Sequence, residues 1–457
     1  MRTNKQLIQD ISEEEVSSNL DDFEIYDIPL WRMIRFQVRL SYLKTKTNFT
    51  NKSVPLKINL VQVLKWFAIS MIEILKLLLS RKHNTTCFFA FPRLENRNGI
   101  YFDKFTDPLI NSYQFSGDVI ILQRSLGGNY LSPRRNENLV YKTDALLYFS
   151  KFISLVLFPV ILFLNIKTIR DFELKVQKIY GSEIKIKRSI SNALTATKLS
   201  VIFYKLIFRV SNVKRIFVVN KDIFISQIIA AKQLGITVYE FQHGATSGPT
   251  ALYTGSYNSK VDPDYFLTFG SFWVNKHFGV PHNRILNLGW AYKQEQTSDT
   301  NIVDHRILCI SSPSITSKIL DIVVKLARLY RLYSFILRLH PQEQLTASQS
   351  KRIATLQNVK VETVNFNLNE SLSLTTTVIG DKSTVLFEAL SLDKQVLLLN
   401  LDELKRTYSK EEKELFTIVN NYKDFETLLS HKDDKGSKSN DIYSNFDKSL
   451  FKDILND

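Results

Sequence analysis

The chain has 457 residues, with 60 Lys and Arg against 45 Asp and Glu, a formal charge of +15. At roughly 100–200 residues per domain this length predicts two or three domains. The 44% hydrophobic content, with 31 Phe and 19 Tyr but only 14 Gly and 11 Pro, excludes a disordered or loop-dominated chain. Two cysteines, Cys87 and Cys309, each inside an apolar run, exclude a disulfide framework and a cysteine zinc site. The N-terminus lacks the apolar stretch of a secretory signal, so the expectation is an intracellular protein. The positive charge predicts an anionic partner: nucleic acid, an anionic membrane or a phosphorylated substrate.

Residues 1–27 are polar and acidic, whereas Ile28 to Ile72 holds no acid but carries Arg32, Arg35, Arg39, Lys44, Lys46, Lys52, Lys57 and Lys65. Spacing of i, i+3, i+7 puts the three arginines on one helix face, next to Trp31, Ile34 and Val38. Lys57 to Ser80 reads as a helix with a narrow polar stripe and a broad apolar surface. Phe152 to Ile166 is apolar, contains Pro159, and falls short of the ~20 residues a spanning helix needs. Together they predict monotopic attachment to an anionic membrane, with apolar faces in the interface and the basic residues on headgroups. The competing reading is two ordinary core helices.

From Thr85 apolar strand-like runs alternate with helical stretches, as in a βαβ series: CFFAF, DVIILQ, RIFVVN, a helix closed by Gly235, then ITVYEFQHG. YFLTFG and RILNLG continue the alternation to Gly289, and a polar stretch then reads as a linker. A second series follows: RILCISS, FILRLHP, VKVET, TTTVIGD and QVLLLN. The expected organisation is an N-terminal helical region over 1–82 and a Rossmann-like domain over 83–290. A linker over 291–304, a second Rossmann-like domain over 305–431 and a fraying polar tail over 432–457 complete it.

Three strand ends carry chemistry-bearing residues, and ligands of parallel sheets bind at such ends. The first delivers Gln242, His243 and Gly244, followed by Thr246 and Ser247, whose hydroxyls and amides suit a phosphate. The second, FILRLHP, places Arg338 and His340 before Pro341. The third runs through Asp381 into a helix opening with Ser383 and Thr384, where free amides and the helix dipole favour an anion. Glu388, one turn further, would accept hydrogen bonds from a ribose. A tight turn at His243, a plain N-cap at Ser383 and a solvated Glu388 are the bland counterparts. Asp262-Pro263-Asp264 has the spacing of a metal-binding acid pair, but its proline and its place before a strand make it a turn, so no metal is expected.

Gln242-His243-Gly244, Arg338-Leu339-His340-Pro341 and Asp381-x-Ser383-Thr384 with Glu388-Ala389-Leu390 resemble the GT-B glycosyltransferase superfamily. The likeness is to bacterial capsule and cell-surface polysaccharide enzymes, the related bacterial sialyltransferases and teichoic-acid glycerophosphotransferases. It covers roughly residues 85–430. The resemblance implies an α/β fold of two Rossmann-like domains facing a cleft, preceded here by amphipathic helices. It also implies a nucleotide-sugar donor, possibly CMP-linked, held by Arg338, His340, Pro341, Asp381, Ser383, Thr384 and Glu388. His243 and His340 would be catalytic, with Gln242, Gly244, Thr246 and Ser247 on the acceptor side and no cofactor. The acidic pair before glycine that supplies the base in those sialyltransferases is missing. The expected activity is transfer of a sugar to a lipid-linked or growing surface glycan, on the cytoplasmic face of the membrane. A CDP-alditol phosphotransferase is the rival enzyme. A non-catalytic membrane or nucleic-acid binder explains the charge but not the histidines, and nucleic acid is not an expected partner.

Overall fold

The computed structural model describes residues 4–46, 60–91, 94–125, 129–245, 249–295, 303, 305–312, 315–340, 343–363, 366–381, 383–400, 408–420, 422–430 and 439–456. Thirteen strands build two fully parallel sheets. The first holds β1 (Thr85–Phe89), β2 (Val119–Gln123), β3 (Val140–Lys142), β4 (Val213–Val219), β5 (Thr237–Phe241), β6 (Tyr265–Thr268) and β7 (Ile285–Asn287), in the order β7-β6-β5-β4-β1-β2-β3. The second holds β8 (Arg306–Ile310), β9 (Ser334–Arg338), β10 (Val359–Glu362), β11 (Thr377–Gly380), β12 (Gln395–Leu399) and β13 (Thr417–Val419), ordered β10-β9-β8-β11-β12-β13. The architecture is a two-domain α/β arrangement, one parallel sheet in each domain. Parallel strands covered by helices on both faces need apolar residues on both faces, which explains the apolar runs over 87–89, 216–219 and 307–310 that end β1, β4 and β8.

The aromatic richness has a place in the first sheet. Register aligns Phe88, Phe217, Tyr239 and Tyr265 on four adjacent strands, with ring centroids 4.9, 5.0 and 5.3 Å apart along the row. Phe451, fully buried, closes on this row from the C-terminal helix Lys448–Asn456, 5.8 Å from Phe217 and 5.1 Å from Tyr113. Residues 439–456 therefore do not fray as expected, but return to the N-terminal domain. Phe269 accepts from Ser444 N (2.7 Å), and Trp273 Nε1 donates to Ile442 O (2.7 Å). A Cβ on Gly270 or Gly289 would lie 2.2 Å from Asp441 O or 2.1 Å from Asn445 O, so these two positions admit only glycine. The polar composition hid an amphipathic last helix in which Phe451 and Ile454 point inward.

The arginines of the N-terminal region correct the expected headgroup belt. Arg32, Arg35 and Arg39, on the Leu30–Lys46 helix, are 4%, 3% and 0% exposed. Arg32 bridges Asp21 (2.8 Å) and Asp262 (3.1 Å), Arg35 reaches Asp222 (3.6 Å), and Arg39 pairs with Glu15. All three also bond carbonyls of one turn, at Leu252 for Arg35, Ala251 and Thr254 for Arg39, and Ser256 for Arg32. A buried guanidinium without partners is prohibitively costly, and each of these three has both an acid and a carbonyl beside it.

Two helices nearby are inside out. The apolar helix runs over Asp144–Leu164, 21 residues, longer than the sequence suggested, and is long and apolar enough to cross a membrane. It buries Asp144, Ser150 and Ser154 while exposing Phe152 (68%), Leu155 (60%), Val156 (64%), Val160 and Phe163 (79%). The Leu60–Leu79 helix packs beside it, with Ser70 and Leu77 inward and Val61, Leu64, Ile72, Leu75 and Leu79 outward. In water alone the hydrophobic effect drives the opposite orientation.

Candidate active site

Of the N-terminal motif, His243 and Gly244 are partly exposed, just past the carboxyl end of β5. Gln242 does not face the cleft as expected. It is fully buried, its amide donating to Gly244 O (3.0 Å) and accepting from Phe269 N (3.0 Å), so it shapes the turn that carries His243. The His243 ring lies near Phe91 (6.3 Å) and Tyr253 (6.2 Å), and Nδ1 is 3.1 Å from the Tyr253 hydroxyl. Thr246, Ser247 and Pro341 lie outside the described residues.

On the second domain, β9 and β11 flank β8, so His340 and Asp381 follow strands two spacings apart, roughly 10 Å. Between them β8 ends in Ser311 and Ser312, which sequence reasoning passed over. The Ser312 hydroxyl is buried with no hydrogen-bond partner among the described residues. A second omission is Glu343, which accepts from His340 N (2.5 Å) and Ser311 Oγ (2.7 Å) and so ties the His340 loop to β8. A carboxylate three residues after the histidine was the available signal.

Ser383 is the N-cap of the Thr384–Ser391 helix, its oxygen accepting from Val385 N at 3.2 Å. The bland capping reading holds, and the hydroxyl proton can still be donated outward. Arg338, expected at the donor phosphate, is engaged within its own domain, bonding Glu362 (3.3 Å), Ser371 (3.1 Å) and Phe366 O (2.8 Å). Register places Glu362 directly opposite Arg338 on β10, and opposite charges there pair across the strands. Glu388 is neither solvated nor open to a ribose. It is 6% exposed and meets Lys104 of the first domain at 3.4 Å, the same ammonium that holds Glu95 at 3.2 Å. Burial pushes the Glu388 carboxyl up, opposed by Lys104. Asp381 is also buried, at 4% exposure.

The two motifs meet across the cleft. A Cβ on Gly244 would stand 3.1 Å from the Thr384 methyl, so the His243 turn abuts the first residue of the helix capped by Ser383. Asp262 and Asp264 behave as turn residues: Lys221 Nζ and Arg32 hold Asp262, and Asp264 accepts from Val238 N (2.9 Å) and pairs with Lys232. Burial pushes the Asp262 carboxyl up, but Lys221, Arg32 and Arg35 outweigh it and hold it at about 2. A depression of about 840 Å³ lined by Thr237, Tyr265, Lys232 and Arg284 sits at the amino ends of β5 and β6. That is the sheet edge opposite His243, whereas ligands of such sheets bind at the carboxyl ends.

No family model matches this sequence, and no curated protein does. Solved structures do. The chain is similar to UDP-GlcNAc 2-epimerase from Neisseria meningitidis bound to UDP-GlcNAc, at 13% identity over 82% of this chain and 99% of that one, with a TM-score of 0.49. It is similar to the wall teichoic acid polymerase TagF soaked with CDPG, at 12% identity over 92% and 96%, with a TM-score of 0.44. The S. aureus MnaA-UDP structure matches at 13% identity over 81% and 94%, with a TM-score of 0.42.

Proposed function

We propose that the chain is a glycosyltransferase, moving a sugar from a nucleotide-sugar to a lipid-linked or growing cell-surface glycan. The observation that carries this reading is the contact of the His243 turn with the N-terminus of the Thr384–Ser391 helix. A reactive imidazole on one domain thereby faces an anion-binding helix end on the other. The departing nucleotide phosphate sits against the helix amides, with the Ser383 and Ser312 hydroxyls as donors, where negative charge grows as the glycosidic bond breaks. His243 takes the proton of the acceptor hydroxyl as that oxygen bonds the anomeric carbon. His340, on the loop tied down by Glu343, is the second donor toward the phosphate.

Thermal unfolding in the presence of CMP, CDP, UDP and GDP tests the donor site. One of these nucleotides is expected to raise the melting temperature, since saturation at 100 times Kd contributes about 2.7 kcal/mol. A chain that none of them stabilises at millimolar concentration does not hold a nucleotide donor here.

The same reading places the enzyme on a lipid surface. Its support is the outward apolar stripe of the Asp144–Leu164 and Leu60–Leu79 helices, beside exposed Lys65, Lys76, Lys167 and Arg170. Burial of Ser150 and Ser154 against the protein keeps one side of the longer helix on the protein body, which favours lying in the interface over crossing it. Wild-type protein is expected to float with phosphatidylglycerol vesicles, and Phe152→Asp with Phe163→Asp to remain in the soluble fraction. Both side chains are exposed, so stability should change by no more than about 0.5 kcal/mol each. Equal flotation of the two proteins would show that these helices do not seat in lipid.

A further inference from the structure

The strand that delivers His243 carries an acid in its buried interior. Glu240 on β5 is fully buried, among the aromatic and apolar residues Val238, Tyr239 and Phe241. Tyr253, 3% exposed, stands between it and the histidine. The tyrosine hydroxyl donates toward Glu240 Oε1 at 3.4 Å and lies 3.1 Å from His243 Nδ1. Glu240 Oε1 also accepts the backbone N–H of Lys221 at 2.9 Å, and Oε2 has no hydrogen-bond partner among the described residues.

A phenol has a single proton. With that proton directed at Glu240, the tyrosine oxygen offers only lone pairs to Nδ1, so Nδ1 must be the protonated nitrogen. The opposite polarity, tyrosine donating to Nδ1, leaves the buried carboxylate with one backbone donor for two oxygens, which is the costlier arrangement. We infer that Tyr253 and Glu240 are positioning residues that hold His243 as the Nδ1–H tautomer, with the electron pair on Nε2. The relay then does for the imidazole what an orienting carboxylate does elsewhere: it fixes the ring and stabilises the imidazolium formed when Nε2 takes a proton. Burial pushes the Glu240 carboxyl up to about 7, opposed by Lys221, so above neutrality it is the anion the relay needs. The turn carrying Tyr253 is itself clamped, by Arg35 on Leu252 O (2.8 Å) and Arg39 on Ala251 O (2.9 Å) and Thr254 O (2.8 Å). The N-terminal helices thus reach the site through the backbone of this turn.

The significance for catalysis rests on His243 being the base proposed above, but the tautomer is measurable without any substrate. Protein labelled with 15N-histidine has 7 histidines, and His243→Gln identifies the signals of interest in imidazole 1H–15N correlation spectra at pH 8. The expected wild-type pattern is protonated Nδ1, and Tyr253→Phe should lose it in favour of Nε2–H while the other histidine signals stay in place. Glu240→Gln should weaken the preference, because a neutral amide replaces the anion. Protonated Nε2 in the wild type, or a tautomer unmoved in Tyr253→Phe, overturns the inference. Once a donor is known, Tyr253→Phe should lower kcat and leave the nucleotide-induced shift in melting temperature unchanged. If the tautomer responds as expected but His243→Gln retains full turnover, the relay stands and the base assignment falls.

Discussion

Arg39→Ala is expected to lower the stability of the chain by about 3–5 kcal/mol, the cost of removing one partner from a buried ion pair. The Arg39 side chain is fully buried, its Nε is 2.8 Å from Glu15 Oε1, and a second nitrogen pairs with Oε2. Without it the Glu15 carboxylate keeps, among the described residues, Trp31 Nε1 (3.2 Å) and the Tyr180 hydroxyl, and the carbonyls of Ala251 and Thr254 lose the Arg39 donor. Against a net stability of about 5–15 kcal/mol this is a large fraction. Urea unfolding should show a lowered midpoint, and limited proteolysis should open the chain near the Leu30–Lys46 helix. Lys76→Ala on the exposed side of its helix should change stability by less than about 0.5 kcal/mol. If Arg39→Ala matched Lys76→Ala in urea but lost vesicle binding, the arginines would be headgroup ligands after all.

His243→Ala should reduce turnover by ~10²–10⁴-fold, the contribution of a positioned general base. Nucleotide affinity should stay nearly constant, because the proposed phosphate contacts come from the other domain: the amides after Ser383, and the hydroxyls of Ser383 and Ser312. An alanine leaves Gln242 and its bonds to Gly244 O and Phe269 N intact, so the turn keeps its shape and the loss is chemical. The converse, weakened nucleotide binding with turnover preserved at saturation, would move His243 into the donor pocket.

The position of the candidate site was legible because buried parallel strands announce themselves. A strand covered on both faces is continuously apolar, so a polar cluster such as Gln242-His243-Gly244 or Asp381-x-Ser383-Thr384 marks where it leaves the core. What each polar residue touches was not legible. Ser312 stood in a run already read as a strand, but its unpartnered hydroxyl appears only once β8 lies between β9 and β11. Glu240 was visible as an acid in an apolar strand, yet its role depends on Tyr253, which a turn brings back over β5.

The sequence by itself determined most of the strands, the division into two α/β series and the strand ends that carry the candidate site residues. Those follow from local periodicity and from backbone requirements that a few neighbouring residues satisfy. Only the tertiary structure decided where the charges went. An i, i+3, i+7 arginine face looks the same whether it meets lipid headgroups or acids and carbonyls more than 200 residues away, such as Asp262 and Leu252. Arg338 and Glu388 were likewise reassigned by partners on another strand and another domain, Glu362 and Lys104. Apolar periodicity is a short-range property of the chain, whereas a buried charge takes its role from whichever partner the fold brings within hydrogen-bond distance.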